Sequence, residues 1–159
     1  MLAYGNQHMY TEMRVRVIFE LVLNKDDYLC PDFLSRGLEN HDIDIVSKLL
    51  AYSEPDFTKD PEQQFNDVIM AARKDGDDCT VFHVCAAACV LQRSISLVYP
   101  IYGGATTHGD LCRVFLPRTF REKCDVVHIF WTNIAGPAVD EMHFRVNHFC
   151  LLLPRFANF

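Results

Sequence analysis

The chain has 159 residues, 50% of them hydrophobic, and a formal net charge of −6 at pH 7. That length and composition suffice for one domain with a sizeable core, which we expect to span residues 1–159. The acidic balance argues against a protein that binds nucleic acid without regard to sequence, because such binding needs a basic surface that displaces counterions from phosphate. An acidic surface fits a basic protein partner better.

The seven cysteines are an odd number without the spacing of a disulfide framework, and no signal peptide is recognised before them. Reduced thiols in the cytoplasm or nucleus are therefore the expectation. No apolar run approaches the roughly 20 residues that cross a membrane, so a soluble intracellular protein without membrane association is expected. Metal binding is disfavoured, since the best-spaced pair, Cys85 and Cys89, lies in an apolar helical stretch and lacks a second half.

Four helices are predicted in the first half of the chain. The first runs from Met9 to Leu29 and is broken around Asp26 to Tyr28. Its apolar face is expected to consist of Met13, Val17, Phe19, Leu21 and Leu23. The second helix begins at Pro31, the third follows a cap at Asp42, and the fourth follows a cap at Asp60.

A fifth helix carries the chemistry of interest at its start. The Asp-Gly pair at residues 75–76 predicts a turn, Asp77 and Asp78 suit the N-cap and first turn, and the Ala-rich run from Val81 to Leu91 predicts a helix. Cys79 would then lie at the helix N-terminus, where backbone amides and the dipole favour a thiolate. The two neighbouring carboxylates oppose that effect. The thiol would therefore need a base.

Short β-branched or aromatic runs follow this helix. They are Ile95–Tyr99, Leu111–Leu116, Val126–Thr132 and Phe149–Leu153. The glycine-containing connections at 102–110 and 133–137 could border a cleft. Helices first and strands second indicate an α+β fold.

The candidate base is His148, which leads the last predicted strand. His83 lies one helical turn after Cys79 and ranks second, because a side chain inside the helix points along its flank rather than across a cleft. Cys85 and Cys89 share one helix face and are expected to pack in the core.

Three motifs carry a resemblance to a known family. Asp-Gly-x-x-Cys at 75–79 opens a helix that continues with Phe82-His83, and Asn147-His148-Phe149 opens a late apolar strand. This pattern resembles the ovarian tumour (OTU) family of cysteine proteases, and in particular the vertnin type of OTU-like domain. The resemblance covers roughly residues 9–154 and extends to Met13–Val17, Leu97–Pro100, His128–Trp131 and Phe144–Phe149.

The resemblance implies a papain-like α+β fold with a small, mainly antiparallel sheet. It implies a deubiquitinase that cleaves after the C-terminal glycine of ubiquitin, with Cys79 as nucleophile and His148 as base. Main-chain amides of the turn before Cys79 would hold the oxyanion; the turn consists of Asp75, Gly76, Asp77 and Asp78. No cofactor is needed. The expected partner is ubiquitin or polyubiquitin, bound by a monomer.

Two departures from the family pattern leave an alternative open. The usual turn has one residue fewer between glycine and cysteine, and Cys150 stands where the family usually has Asp or Asn after the histidine. Counting back from Phe82-His83 places Thr80 at the nucleophile position. Threonine is a poor nucleophile without an N-terminal amine, so the alternative is an inactive OTU-like binding module of a larger nuclear or mobile-element-derived protein.

The residue that orients the base is a further prediction. An imidazole that acts through one nitrogen normally donates its other N–H to a polar acceptor, and Cys150 is a weak one. Asn133 is the first candidate and Asp75 the second. A dyad of Cys79 and His148 is the third possibility, because a thiol is already partly ionised near neutral pH.

Overall fold

A computed structural model describes residues 7–53, 56–74, 79–99, 105–119, 126–132 and 148–152. The helices in these ranges are α1 (Gln7–Leu23), α2 (Lys25–Tyr28), α3 (Pro31–Leu34), α4 (Ile45–Ala51), α5 (Pro61–Ala71), α6 (Val81–Leu91) and α7 (Ala105–Leu111). The strands are β1 (Ile95–Val98), β2 (Val114–Phe115), β3 (Val127–Thr132) and β4 (His148–Leu152). Helices α1 to α6 precede the first strand, so the predicted α+β class is confirmed.

The four strands form one sheet in the order β2-β1-β3-β4. β1 pairs with β2 in antiparallel orientation, with Ser96 opposite Val114. β3 and β4 are also antiparallel, whereas β1 and β3 run parallel. The described sheet is therefore mixed, with antiparallel pairs at both of its edges and a parallel pair at its centre.

Helix α1 buries a narrower face than the sequence predicts. Val17 and Leu21 are buried, as expected. Phe19 and Leu23 were expected in the same stripe, but they are 60% and 76% exposed. Two residues along an α-helix correspond to a rotation of roughly 200°, so Phe19 points away from the side that Val17 faces. The broader apolar face predicted for this helix is wrong.

The caps of the two middle helices differ in how well they were predicted. Asp60 caps α5 as expected. The prediction that Asp42 caps the preceding helix is wrong, because α4 begins at Ile45 and its N-cap is Asp44. The Asp42 carboxylate instead accepts hydrogen bonds from the Asp44 N–H at 2.9 Å and from Lys48 Nζ at 2.6 Å. Asp42 thus closes a tight turn just ahead of the helix.

A helix replaces most of a predicted connection. Residues 102–110 were expected to be a loop, yet α7 begins at residue 105. Its end is fixed by tertiary contacts, since Leu111 is buried and Tyr52 donates a hydrogen bond to Asp110 Oδ2 at 2.7 Å. The strand predicted from Leu111 is correspondingly short and covers only residues 114–115.

Three buried aromatic rings join the N-terminal helices to α6. Tyr28 stacks on Phe65 with ring centroids 6.1 Å apart, and Phe65 meets Phe82 edge to face at 5.1 Å. Each of the three side chains is fully buried. The core therefore passes from α2 through α5 to α6, which in turn packs against β1 and β2.

Candidate active site

Cys79 lies immediately before the N-cap of α6, and its side chain is exposed. The cap itself is Thr80, which forms a capping box with His83. The prediction that Asp77 or Asp78 supplies the cap is therefore wrong. The Thr80 hydroxyl and a ring nitrogen of the residue three places later each accept a backbone N–H at the start of the helix, so no carboxylate is needed to cap it. Cys79 belongs to the approach to the helix and not to its first turn.

His83 is part of this helix cap. Its Nδ1 accepts the Thr80 backbone N–H at 2.8 Å and lies 3.0 Å from the Thr80 hydroxyl. Burial, together with the charge of Arg14, lowers the pKa of the imidazole to about 4. A neutral ring whose Nδ1 already accepts a backbone proton is a weak candidate for a general base. The geometry agrees with the second rank given to His83 as a candidate base.

Cys85 and Cys89 are both buried, as the helical spacing predicts. Burial raises the pKa of each thiol above its usual value. Thiols that stay protonated at neutral pH are poor nucleophiles and metal ligands. Neither residue competes with Cys79 for a catalytic role.

The charged and polar groups near the same two cysteines indicate the direction of α6 on the sheet. Cys85 lies within range of the charge of Arg113, whose carbonyl accepts the Leu97 N–H at 2.8 Å. Cys89 instead accepts a hydrogen bond from the backbone N–H of Arg118, beyond the end of β2. Since β2 is antiparallel to β1, moving from Cys85 to Cys89 means moving toward the start of β1. Helix α6 and strand β1 are therefore antiparallel.

This direction puts the N-terminus of α6 at the end of the sheet where β1 and β3 finish. The two strands are parallel, so Val98 and Thr132 lie at the same end. β4 begins there, with the backbone of His148 paired with Thr132. The topology thus brings Cys79 and the start of β4 to one end of the sheet. The side chain of His148 lies outside the described part of the chain.

Several other predicted site residues also lie outside the described ranges. They are Asp75, Gly76, Asp77 and Asp78 of the turn, and Asn133, the first candidate for orienting the base. Cys150, the residue after Phe149, is described as part of β4 and pairs with Phe130. The identity of the orienting group stays a prediction.

Sequence reasoning missed Arg14. From α1 its Nε donates to the carbonyl of Ala72 at 2.5 Å, and its Nη2 donates to the carbonyl of Lys74. Both carbonyls follow the last residue of α5, on the path toward Cys79. One signal in the sequence was available, since Arg14 lies one helical turn before Val17, a residue of the predicted apolar face.

Among the described residues, no group of three or more His, Cys, Asp or Glu side chains is arranged to hold a metal ion. In the same ranges, no helix combines the length and the apolar character that crossing a membrane requires.

Comparison with known proteins identifies the family. Residues 1–132 match the family model described as the OTU domain of vertnin, which is 132 of the 159 residues. The chain belongs to the vertnin OTU domain family. This OTU domain is 26% identical to human Vertnin over 156 residues, which cover 94% of the present chain and 21% of that protein. It spans about a fifth of the length of the curated relative that it matches.

The family match covers only part of the candidate site. Cys79, Thr80 and His83 lie inside the matched range, which ends at Thr132. His148 lies beyond that range.

Proposed function

We propose that this OTU domain is a cysteine isopeptidase that acts on ubiquitin conjugates. The observation that carries the proposal is the placement of an exposed thiol, Cys79, ahead of α6 at the end of the sheet where His148 begins β4. A nucleophile at a helix entry and a base at the start of a neighbouring strand are the parts that thiol acyl transfer needs. The two thiols within α6, Cys85 and Cys89, are buried, and burial raises their pKa values.

The reaction would follow the general course of thiol acyl transfer. His148 takes the proton of Cys79, and the thiolate attacks the carbonyl carbon of the terminal glycine of ubiquitin. The isopeptide C–N bond breaks as the lysine amine leaves with a proton from His148. Water then hydrolyses the thioester. Amides of residues 75–78 and Cys79 would stabilise the oxyanion, each being worth roughly 3 kcal/mol in comparable sites.

Capture by a ubiquitin probe whose C-terminus carries a thiol-reactive electrophile tests the nucleophile. We expect an adduct at Cys79 that is lost in Cys79→Ala and retained in the matched controls Cys85→Ala and Cys89→Ala, compared at equal stability. Cys112 is exposed and serves as the reference for non-specific labelling. Labelling that survives Cys79→Ala, or that needs Cys85, would reject the assignment.

A second variant tests the base. His148→Ala should lower kcat by several orders of magnitude and leave the thermal unfolding temperature unchanged, because the imidazole transfers a proton rather than filling the core. His83→Ala should instead lower the thermal unfolding temperature and leave kcat nearly unchanged. An exchange of the two phenotypes would assign proton transfer to His83.

The orienting residue is tested in the same assay. We expect Asn133→Ala to slow turnover more than Asp75→Ala, since an amide that accepts the second ring N–H fixes the tautomer. If Asn133→Ala and Asp75→Ala both turn over at the wild-type rate, a dyad of Cys79 and His148 is the catalytic unit.

A second candidate function is a binding module without catalysis. The observation that favours it is the Thr80 side chain, which stands two residues before Phe82 and lies 3.0 Å from His83 Nδ1. If Phe82 and His83 mark the family register, Thr80 replaces the nucleophile. That hydroxyl is not activated, because the neighbouring imidazole already accepts a backbone N–H. Reversible ubiquitin binding without capture of the electrophilic probe would favour this function.

A further inference from the structure

The segment ahead of Cys79 starts at the C-terminal end of α5, where a side chain from α1 binds. Arg14 donates to the carbonyls of Ala72 and Lys74, which lie past Ala71, the last residue of α5. Carbonyls at a helix end have no partner within the helix, and a cation there is favoured by the dipole. One planar guanidinium that binds two carbonyls two residues apart restricts the direction in which the chain leaves the helix.

The other end of this segment is held by the cap of α6. Cys79 is followed by Thr80, whose backbone N–H is bound by His83. α1 packs against both α5 and α6, and the charge of Arg14 acts on the His83 ring. Arg14 therefore binds the described end of the segment at Lys74, and its charge reaches the cap of α6 that follows Cys79.

We propose that Arg14 is a positioning residue for Cys79. By binding the carbonyls of Ala72 and Lys74, it sets the path by which the chain approaches the N-terminus of α6. The inference rests on the proposed function, in which Cys79 is the nucleophile. The part played by Arg14 is orientation and not proton transfer, because a guanidinium stays protonated at neutral pH. A lysine cannot replace it, since an ammonium lacks the planar fork that reaches two carbonyls.

Hydrogen exchange measured by mass spectrometry tests the positioning without requiring any activity. We expect Arg14→Ala to accelerate exchange at least fivefold in peptides that span residues 72–82, with little change in peptides from α4. Arg14→Lys should show the same local effect and serves as the test variant if the alanine variant folds poorly. Arg16→Ala is the matched control, since Arg16 is exposed on α1 and pairs with Glu12 at 2.5 Å. Unchanged exchange in folded Arg14 variants, or restoration by lysine, would overturn the proposal.

Two rates measured on the same variants separate geometry from thiol chemistry. Capture by the electrophilic ubiquitin probe should fall at least tenfold in Arg14→Ala, while alkylation of Cys79 by iodoacetamide should change less than threefold. Equal losses in both rates would show that the reactivity of the Cys79 thiol, and not its position, has changed. That result would overturn the inference. If the wild-type domain is not captured but exchange still rises in Arg14→Ala, the proposed isopeptidase fails while Arg14 keeps its role in ordering the approach to Cys79.

Discussion

His83 combines burial with a defined tautomer. Its side chain is 7% exposed, and Nδ1 accepts the Thr80 backbone N–H, so the ring proton resides on Nε2. That Nε2 is buried and makes no hydrogen bond in the described part of the chain. Protonation would place a charge in the core next to Arg14, which explains why the pKa falls from 6.5 to about 4.

We expect the stability of the domain to decline in mild acid through His83. The pKa of this imidazole is lower in the folded state, so its stabilising contribution is complete above pH 6.5, declines as the pH falls below that value and is lost once the pH has fallen through 4. The loss amounts to about 3 kcal/mol for a shift of that size. Urea unfolding at pH 7 and pH 4.5 measures it.

The variant His83→Ala isolates this contribution. At pH 7 it should lower the unfolding free energy by about 2–3 kcal/mol, because the cap loses an acceptor and the core loses a ring. At pH 4.5 the difference from wild type should shrink. His41→Ala is the control, since His41 is exposed and pairs with the exposed Asp32 at 2.6 Å. An equal deficit at both pH values would contradict the assignment of a neutral buried ring.

At the scale of single elements, α5 begins with a side-chain cap and a proline at its first position. Asp60 has an extended backbone, its carboxylate accepts the Gln63 N–H at 2.8 Å, and Pro61 occupies the first helical position. Proline is suited to that position because the missing N–H would have had no helical partner. α5 supplies Phe65 to the aromatic core and ends at the carbonyls that Arg14 binds.

Asp60→Ala should therefore lower the unfolding free energy by about 1 kcal/mol, the usual contribution of a carboxylate N-cap. Chemical denaturation measures the change. Asp67→Ala is the matched control, because it also removes one exposed carboxylate near α5 but breaks only a surface pair with Lys59. Equal effects of the two substitutions would mean that charge, and not the cap, accounts for the loss.

At the scale of the whole molecule, β2 is tied to helices that precede it by more than 70 residues. Arg113 is 6% exposed, stacks over the Phe115 ring at 4.6 Å and donates to the carbonyl of Leu34 at the end of α3. Arg118 donates to Asp27 at 2.6 Å and to Glu20. Two arginines on either side of one short strand thus join the helical half to the sheet.

Gly37 lies at the closest point of this junction. It has a φ of +84°, and a Cβ on it would stand 2.4 Å from the carbonyl oxygen of Val114. Gly37→Ala should lower the unfolding free energy by on the order of 3 kcal/mol, since both the left-handed backbone and the close approach are penalised. Thermal and urea unfolding measure the loss.

Gly109→Ala provides the control for that substitution. Nothing lies within 4 Å of a Cβ at Gly109, which is a residue of α7. Alanine there should stabilise the domain by about 0.5–1 kcal/mol, because it favours the helix without a clash. A loss of stability at Gly109, or none at Gly37, would contradict this account of how β2 meets the turn after α3.

Sequence patterns that span only a few residues were sufficient to predict much of the fold. The cap at Asp60, the apolar run of α6 and the β-branched strands β1 and β3 depend on propensities that act over a few residues, and they lie where the sequence predicts them. The burial of Cys85 and Cys89 also followed from their spacing along one helix. The family was recognisable because its motifs are short and contiguous.

Tertiary structure decided what depends on contacts between distant residues. Thr80 became the cap of α6 because His83 is buried where it can bind the Thr80 N–H, and α7 forms where Tyr52 and Leu111 hold it. Arg14 reaches carbonyls 58 and 60 residues away, a pairing that no local pattern encodes. Loop closure over such distances is stabilised only by packing of the whole core. Sequence alone therefore determined most of the elements and the candidate nucleophile, while the folded chain determined α7, the cap of α6 and the contacts around the site.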